Sequence, residues 1–169
     1  KTSPMILKNL NKIFLLNSLI VLSIFLIDRL TKIYVIHLDE KFLGSEIFSS
    51  KFLNIRVIWN EGIAFGLLSF DENYFYNILT VFILLIIILI IFMVIKSKGF
   101  KKYSLLLILG GALGNVYDRI FTNAVPDFID FHINNFHWFI FNVSDIFITL
   151  GVIGMIILEF TDNSKNYDN

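Results

Sequence analysis

The stretch FNVSDIFITLGVIGMIIL, Phe141 to Leu158, has the length and apolarity of a membrane-crossing helix and one fault, an aspartate at position 145. A charge at membrane depth costs a few kcal/mol and normally faces a bundle interior. Two other apolar runs carry the same fault. Ile13 to Ile36 is broken by Asp28, Arg29 and Lys32, and Tyr103 to Phe121 by Asp118 and Arg119. A fourth run, Asn73 to Ile95, has no charge from end to end. It exceeds the roughly 20 apolar residues that span a bilayer core.

Composition agrees with this reading. The chain has 169 residues, 56% of them hydrophobic, with mean hydropathy +0.75. Its formal net charge is zero, so charge offers no footprint for nucleic acid. With no cysteine, disulfides, thiol chemistry and cysteine metal sites are excluded. His37, His132 and His137 have no metal-binding spacing and read as interfacial residues. No metal and no cofactor is expected.

The expected fold is an all-α membrane protein in one domain, residues 1–169. It has four transmembrane helices at about 13–36, 74–95, 103–121 and 138–160. The first could instead be a signal peptide, but no small-residue cleavage pattern follows it, so it is read as a retained helix. Lysines set the orientation. They occur near the start (Lys1, Lys8, Lys12) and in the link KSKGFKK, whereas 120–136 carries no lysine or arginine. Both termini are therefore expected in the cytoplasm, with two links facing outward, 38–73 and 120–136. In the first, KFLNIRVIW is β-rich and predicts a strand or two. After it, NEGIAFGLLSF predicts tight glycine turns against the membrane surface. The segment VPDFIDF reads as a loop entering the bundle, GGALG (110–114) as a close helix contact, and Thr161 to Asn169 as a frayed tail.

On this topology Asp28, Asp118, Asp127 and Asp145 all fall at the outer side, although different segments supply them. Asp28 has an i,i+4 partner in Lys32, and Asp118 with Arg119 suits a structural ion pair. Asp127 has no basic neighbour in its segment, and Asp130 is an alternative to it. Asp145 has no cation nearby and an apolar helix after it. Two close carboxylates share a proton, so one serves as base on a water and the other as acid on a carbonyl. A transporter lined by carboxylates would need polar residues at several depths, and the second helix has almost none. A non-catalytic scaffold, its aspartates binding partner helices, is the other alternative.

Five motifs together resemble the bacterial lipoprotein signal peptidase (signal peptidase II) family: DRLTK (28–32), NEGIAFG (60–66), GGALGNVYDR (110–119), VPDFIDF (125–131) and FNVSD (141–145). They lie in order across nearly the whole chain. The resemblance implies a membrane-embedded aspartic endopeptidase of the bacterial inner membrane. Its substrates would be prolipoproteins, cut just before a cysteine that carries a diacylglyceryl group. It implies that Asp127 and Asp145 are the catalytic pair, with Asp28, Lys32, Asn60, Gly62, Asn115, Arg119 and Asn142 in support. It also implies a surface cradle in the outer loop, contact with membrane lipid and inhibition by globomycin. Two positions depart from the family pattern: Pro126, where valine is common, and Ser144, where alanine is common. The extra hydroxyl of Ser144 is placed to hydrogen-bond Asp145.

Overall fold

The computed structural model describes the backbone of residues 4–62, 73–134 and 136–167, and the side chains of 11–62, 76–134 and 136–161. Among the described residues four helices and four strands follow in order: α1 (Pro4–Lys41), β1 (Phe48–Ser49), β2 (Leu53–Asn60), α2 (Asn73–Lys96), α3 (Gly99–Phe121), β3 (Val125–Ile133), β4 (Phe136–Phe141) and α4 (Val143–Tyr167). Each helix is long and apolar enough to cross a membrane. The run of isoleucines in α2 has modest helix propensity in water. In lipid the backbone must satisfy its own hydrogen bonds, and a helix does so within one segment.

α3 is the central helix. It packs on α1, α2 and α4, whereas α1 and α2 have little contact with each other. Its close approaches are made by glycines. A Cβ on Gly110 would come within 2.8 Å of Ile24 on α1, and one on Gly111 within 2.5 Å of the Ser144 carbonyl oxygen on α4. α4 returns the arrangement: a Cβ on Gly151 would meet the Ser104 carbonyl oxygen at 2.5 Å. The GGALG segment is thus a close helix contact, as its small residues predict. The apolar core lies where α2 meets α3, around Ile87, Ile90, Leu105, Leu106 and Leu109.

The strands form one antiparallel sheet in the order β1-β2-β3-β4. The strand expected in KFLNIRVIW is β2, with β1 paired to it. Three sequence readings are corrected here. VPDFIDF is not a loop but most of β3, paired to β2 from Leu53↔Phe131 to Asn60↔Val125. Trp138 to Phe141 belongs not to the last helix but to β4, because FHWFIF is aromatic and β-branched and pairs with β3. α4 begins only at Val143. The tail read as frayed is helical as far as Tyr167. α1 is also longer than its apolar core, being helical from Pro4 to Lys41. Of NEGIAFGLLSF, where turns at Gly62 and Gly66 are expected, residues 63–70 lie outside the described residues.

Pro126 is compatible with its strand for a local reason. β4 pairs with β3 only from Ile129 onward, so at Pro126 the strand has β2 as its one neighbour. A missing N–H is tolerated at such an edge. The β3–β4 turn uses Asn134 at φ 53°, a conformation that asparagine accepts readily.

Candidate active site

One end of the bundle meets the sheet, and the polar residues of five elements converge there. Asp127 projects from β3 and is 3% exposed; Asp145 lies in the first turn of α4 and is 6% exposed. Asn142, in the single-residue joint between β4 and α4, touches both. Its Nδ2 donates to Asp127 Oδ1 at 2.6 Å, and its backbone N–H donates to Asp145 Oδ2 at 3.1 Å. The Asp145 N–H donates back to Asn142 Oδ1 at 3.2 Å. This reciprocal pair is a capping box built from Asn and Asp. It supplies a structural role for Asp145 that the sequence reading missed, although N-x-x-D before an apolar run was its visible signal.

The second oxygen of each carboxylate is held by another amide. Asn60 at the end of β2 donates to Asp127 Oδ2 at 2.8 Å, and Asn115 on α3 donates to Asp145 Oδ1 at 2.8 Å. Among the described residues neither carboxylate has an ion-pair partner. Burial, and then the charge of Asp145, push the Asp127 carboxyl up to about 6; the amides of Asn60 and Asn142 oppose the shift.

The cations lie one layer behind. Lys32 is 1% exposed and meets Asp28 at 2.9 Å, Asp118 at 2.8 Å and Asn115 Oδ1 at 2.9 Å. Arg29 closes the cluster, 2.5 Å from Asp118 and 3.1 Å from Asp28. Two carboxylates and two cations thus neutralise each other. The amide of Asn115 links Lys32 to Asp145, accepting from one and donating to the other. Asp28 also accepts from the backbone N–H of Ser144 at 3.0 Å, which ties α1 to the start of α4.

Two side-chain readings are corrected. Asp118 and Arg119 do not pair with each other. Neighbours on a helix diverge by about 100°, so Asp118 faces Arg29 and Lys32 on α1, while Arg119 donates to the Gly62 carbonyl oxygen. Gly62 in turn donates from its N–H to Asn60 Oδ1 at 2.8 Å, so Arg119 supports the residue that holds Asp127. Ser144 does not bond Asp145 either. The same divergence turns its hydroxyl toward Gly114, where it is buried and has no partner among the described residues. Arg29 belongs to the cluster although sequence reasoning assigned it no supporting role; it stands inside DRLTK.

Asp130, the alternative to Asp127, faces other partners. It is fully buried, 2.9 Å from His137 Nδ1 on β4 and 3.2 Å from Arg56 on β2. Those contacts give it a role within the sheet. Beside Asp145 a cleft of about 290 Å³ opens, lined by Trp138, Phe141, Ile146, Thr149 and Leu150. It runs from the carboxylate along the first turns of α4, an apolar path to a charged end.

Comparisons with known proteins bear on this geometry. A family model described as signal peptidase (SPase) II matches residues 20–161. The chain is 51% identical over 154 residues to a lipoprotein signal peptidase of Pelagibacter ubique (strain HTCC1062), spanning 91% of this chain and 93% of that one. It is 36% identical over 177 residues to a lipoprotein signal peptidase of Rickettsia akari (strain Hartford), spanning 98% of this chain and 88% of that one. Among solved structures, a bacterial membrane enzyme matches with TM-score 0.71 at 33% identity, over 88% of this chain and 90% of its own. Another matches with TM-score 0.69 at 35% identity, over 86% and 93%.

Proposed function

The chain belongs to the signal peptidase II family and is a multi-pass membrane peptidase, and from that premise we propose that it is an aspartic endopeptidase working through Asp127 and Asp145. The reading rests on one observation above all. Two buried carboxylates, from β3 and α4, share Asn142 as a partner, while Lys32 and Arg29 are already paired with Asp28 and Asp118. Two such groups cannot both ionise cheaply, so the pair holds one proton between them. Burial and the charge of Asp145 raise Asp127 to about 6, so it keeps a proton to higher pH than an ordinary carboxyl does.

The chemistry then runs in two steps. The ionised carboxylate takes a proton from a water, whose oxygen attacks the scissile carbonyl carbon. The protonated carboxyl gives its proton to the carbonyl oxygen, and a neutral tetrahedral diol forms. In the second step the diol returns a proton to a carboxylate and the C–N bond breaks. The leaving nitrogen takes a proton from the other carboxyl, so the pair ends with one proton as it began. Asn60, Asn115 and Asn142 orient the carboxylates without neutralising them. The Asp28–Arg29–Lys32–Asp118 cluster fixes the helix ends that carry them.

The substrate in this proposal is a prolipoprotein signal peptide whose lipidated cysteine is anchored at membrane depth, with cleavage just before that cysteine. The apolar cleft beside Asp145 suits such a chain. Lysine placement supports an inner-membrane protein with both termini cytoplasmic and the site near the outer face. A globomycin-type inhibitor would compete for the same groove.

The test uses purified protein in lipid with a diacylglyceryl-modified prolipoprotein, read by mobility shift. Wild type should cleave it and spare the unmodified form. Asp127→Asn and Asp145→Asn should insert, retain helix content and fail to cleave. Normal cleavage by either variant would remove that residue from the mechanism.

A further inference from the structure

Away from the site, the little-contacting helices α1 and α2 leave a groove against α3. It encloses about 630 Å³ and is lined almost wholly by apolar side chains. Its polar lining residues are Asn17, Ser18, Lys102 and Tyr117, and the first three lie at one end. α1 and α3 run parallel with a constant offset. Ile24 meets Gly110, Asp28 meets Gly114 and Lys32 meets Asp118. Continued downward, the same offset sets Asn17 and Ser18 level with Lys102. Lys102 is half-buried and has no ion-pair partner among the described residues. α2 contributes its wall at this end only, through Ile91, Val94 and Ile95, so the groove is three-sided near the lysine and two-sided farther out.

A charged, hydrogen-bonding mouth that continues into an apolar slot matches one class of ligand. We propose that this groove binds an anionic glycerophospholipid, with its phosphate at Lys102, Asn17 and Ser18 and an acyl chain along Val21, Val94 and Leu109. Charge complementarity selects the anion: among the residues that line the groove Lys102 is the one that carries a charge, and residues 1–27 and 73–117 contain no aspartate or glutamate. The binding site stands independently of the peptidase mechanism. Its assignment to the inner leaflet rests on the topology proposed above, and that is read separately, by labelling a single Ser97→Cys with a membrane-impermeant maleimide from either side.

The experiment is native mass spectrometry of the purified full chain in detergent. It receives equimolar phosphatidylglycerol and phosphatidylcholine with matched chains. The expected result is one retained phosphatidylglycerol in preference to phosphatidylcholine. A lysine near the headgroup is worth about fivefold in affinity, so Lys102→Gln should reduce that preference about fivefold. Lys101→Gln, exposed and outside the groove, should leave it unchanged. Val21→Trp should displace both lipids, and Ser18→Trp at the exposed rim serves if Val21→Trp does not insert. Equal retention of the two lipids would overturn the proposal. So would an equal effect of Lys101→Gln and Lys102→Gln, or a groove occupied by a second copy of the chain, visible as a dimer mass.

Discussion

Asn142 and Asp145 cap each other at the start of α4, with hydrogen bonds of 3.1 and 3.2 Å running in opposite directions. The pair that starts the helix therefore also aims one of the two buried carboxylates. Asn142→Ala should lose the cap and the donor to Asp127 together. A lost cap costs about 1 kcal/mol, up to 2, and cleavage should fall far more than that loss of stability explains. Thermal unfolding in detergent, measured beside the rate of lipoprotein processing, separates the two effects. Equal losses in both would assign Asn142 to the fold alone.

Asp127 gives stability a pH dependence of defined sign. Its folded value near 6 lies above the ordinary 3.8, so the folded protein binds this proton more tightly than the unfolded chain does. The contribution is fully present below about pH 4, is lost as pH rises toward 6 and is flat beyond. Its size is roughly 3 kcal/mol at most. Asp127→Asn should remove this slope and raise the unfolding temperature at pH 7. An unchanged slope in the variant would contradict the assignment.

Among the described residues Lys32 is the one cation that touches Asp28, Asp118 and Asn115 together. Lys32→Met preserves the side chain's bulk and leaves two buried carboxylates to Arg29 alone. Breaking such a cluster from one side costs about 3–5 kcal/mol. Loss of protein from the membrane fraction, partly rescued by adding Asp118→Asn, is the expected outcome. Normal yield from the single variant would show that the cluster is not needed for folding.

The α3–α4 contact should respond oppositely to two small substitutions. Gly111→Ala drives a methyl into the Ser144 carbonyl oxygen, a backbone atom that cannot swing aside. It should destabilise by about 1–3 kcal/mol and shift Asp145 with its helix. Ser144→Ala removes a buried hydroxyl that has no partner among the described residues, and should stabilise by up to about 1 kcal/mol with cleavage retained. Apparent unfolding temperatures of both variants check this.

Much of this arrangement was legible in the chain. Helix length and apolarity announced α2, because lipid leaves an uncharged run of that size no other conformation. Asp28, Lys32 and Asp145 stand out because charge inside apolar runs needs a reason, whereas Asn115 is carried only by the motif GGALGNVYDR. β3 was less legible. VPDFIDF is short and carries a proline, and its strand identity depends on β2, which is far away in sequence. The same holds for β4, whose aromatics suit a membrane helix as well as a strand until β3 pairs with them.

Which polar residues exist at the sheet-facing end of each helix is a property of the sequence alone, since hydrophobic period acts locally along the chain. Which of them touch was decided by tertiary structure. Helix azimuth turned Asp118 to Lys32 and Arg29 instead of Arg119, and turned Ser144 to Gly114 instead of Asp145. The joint at Asn142 brought Asp127 and Asp145 onto one amide residue. Such contacts depend on the rotation and offset of packed elements. Those are set by glycine-sized clearances between distant segments, which no local stretch of sequence encodes.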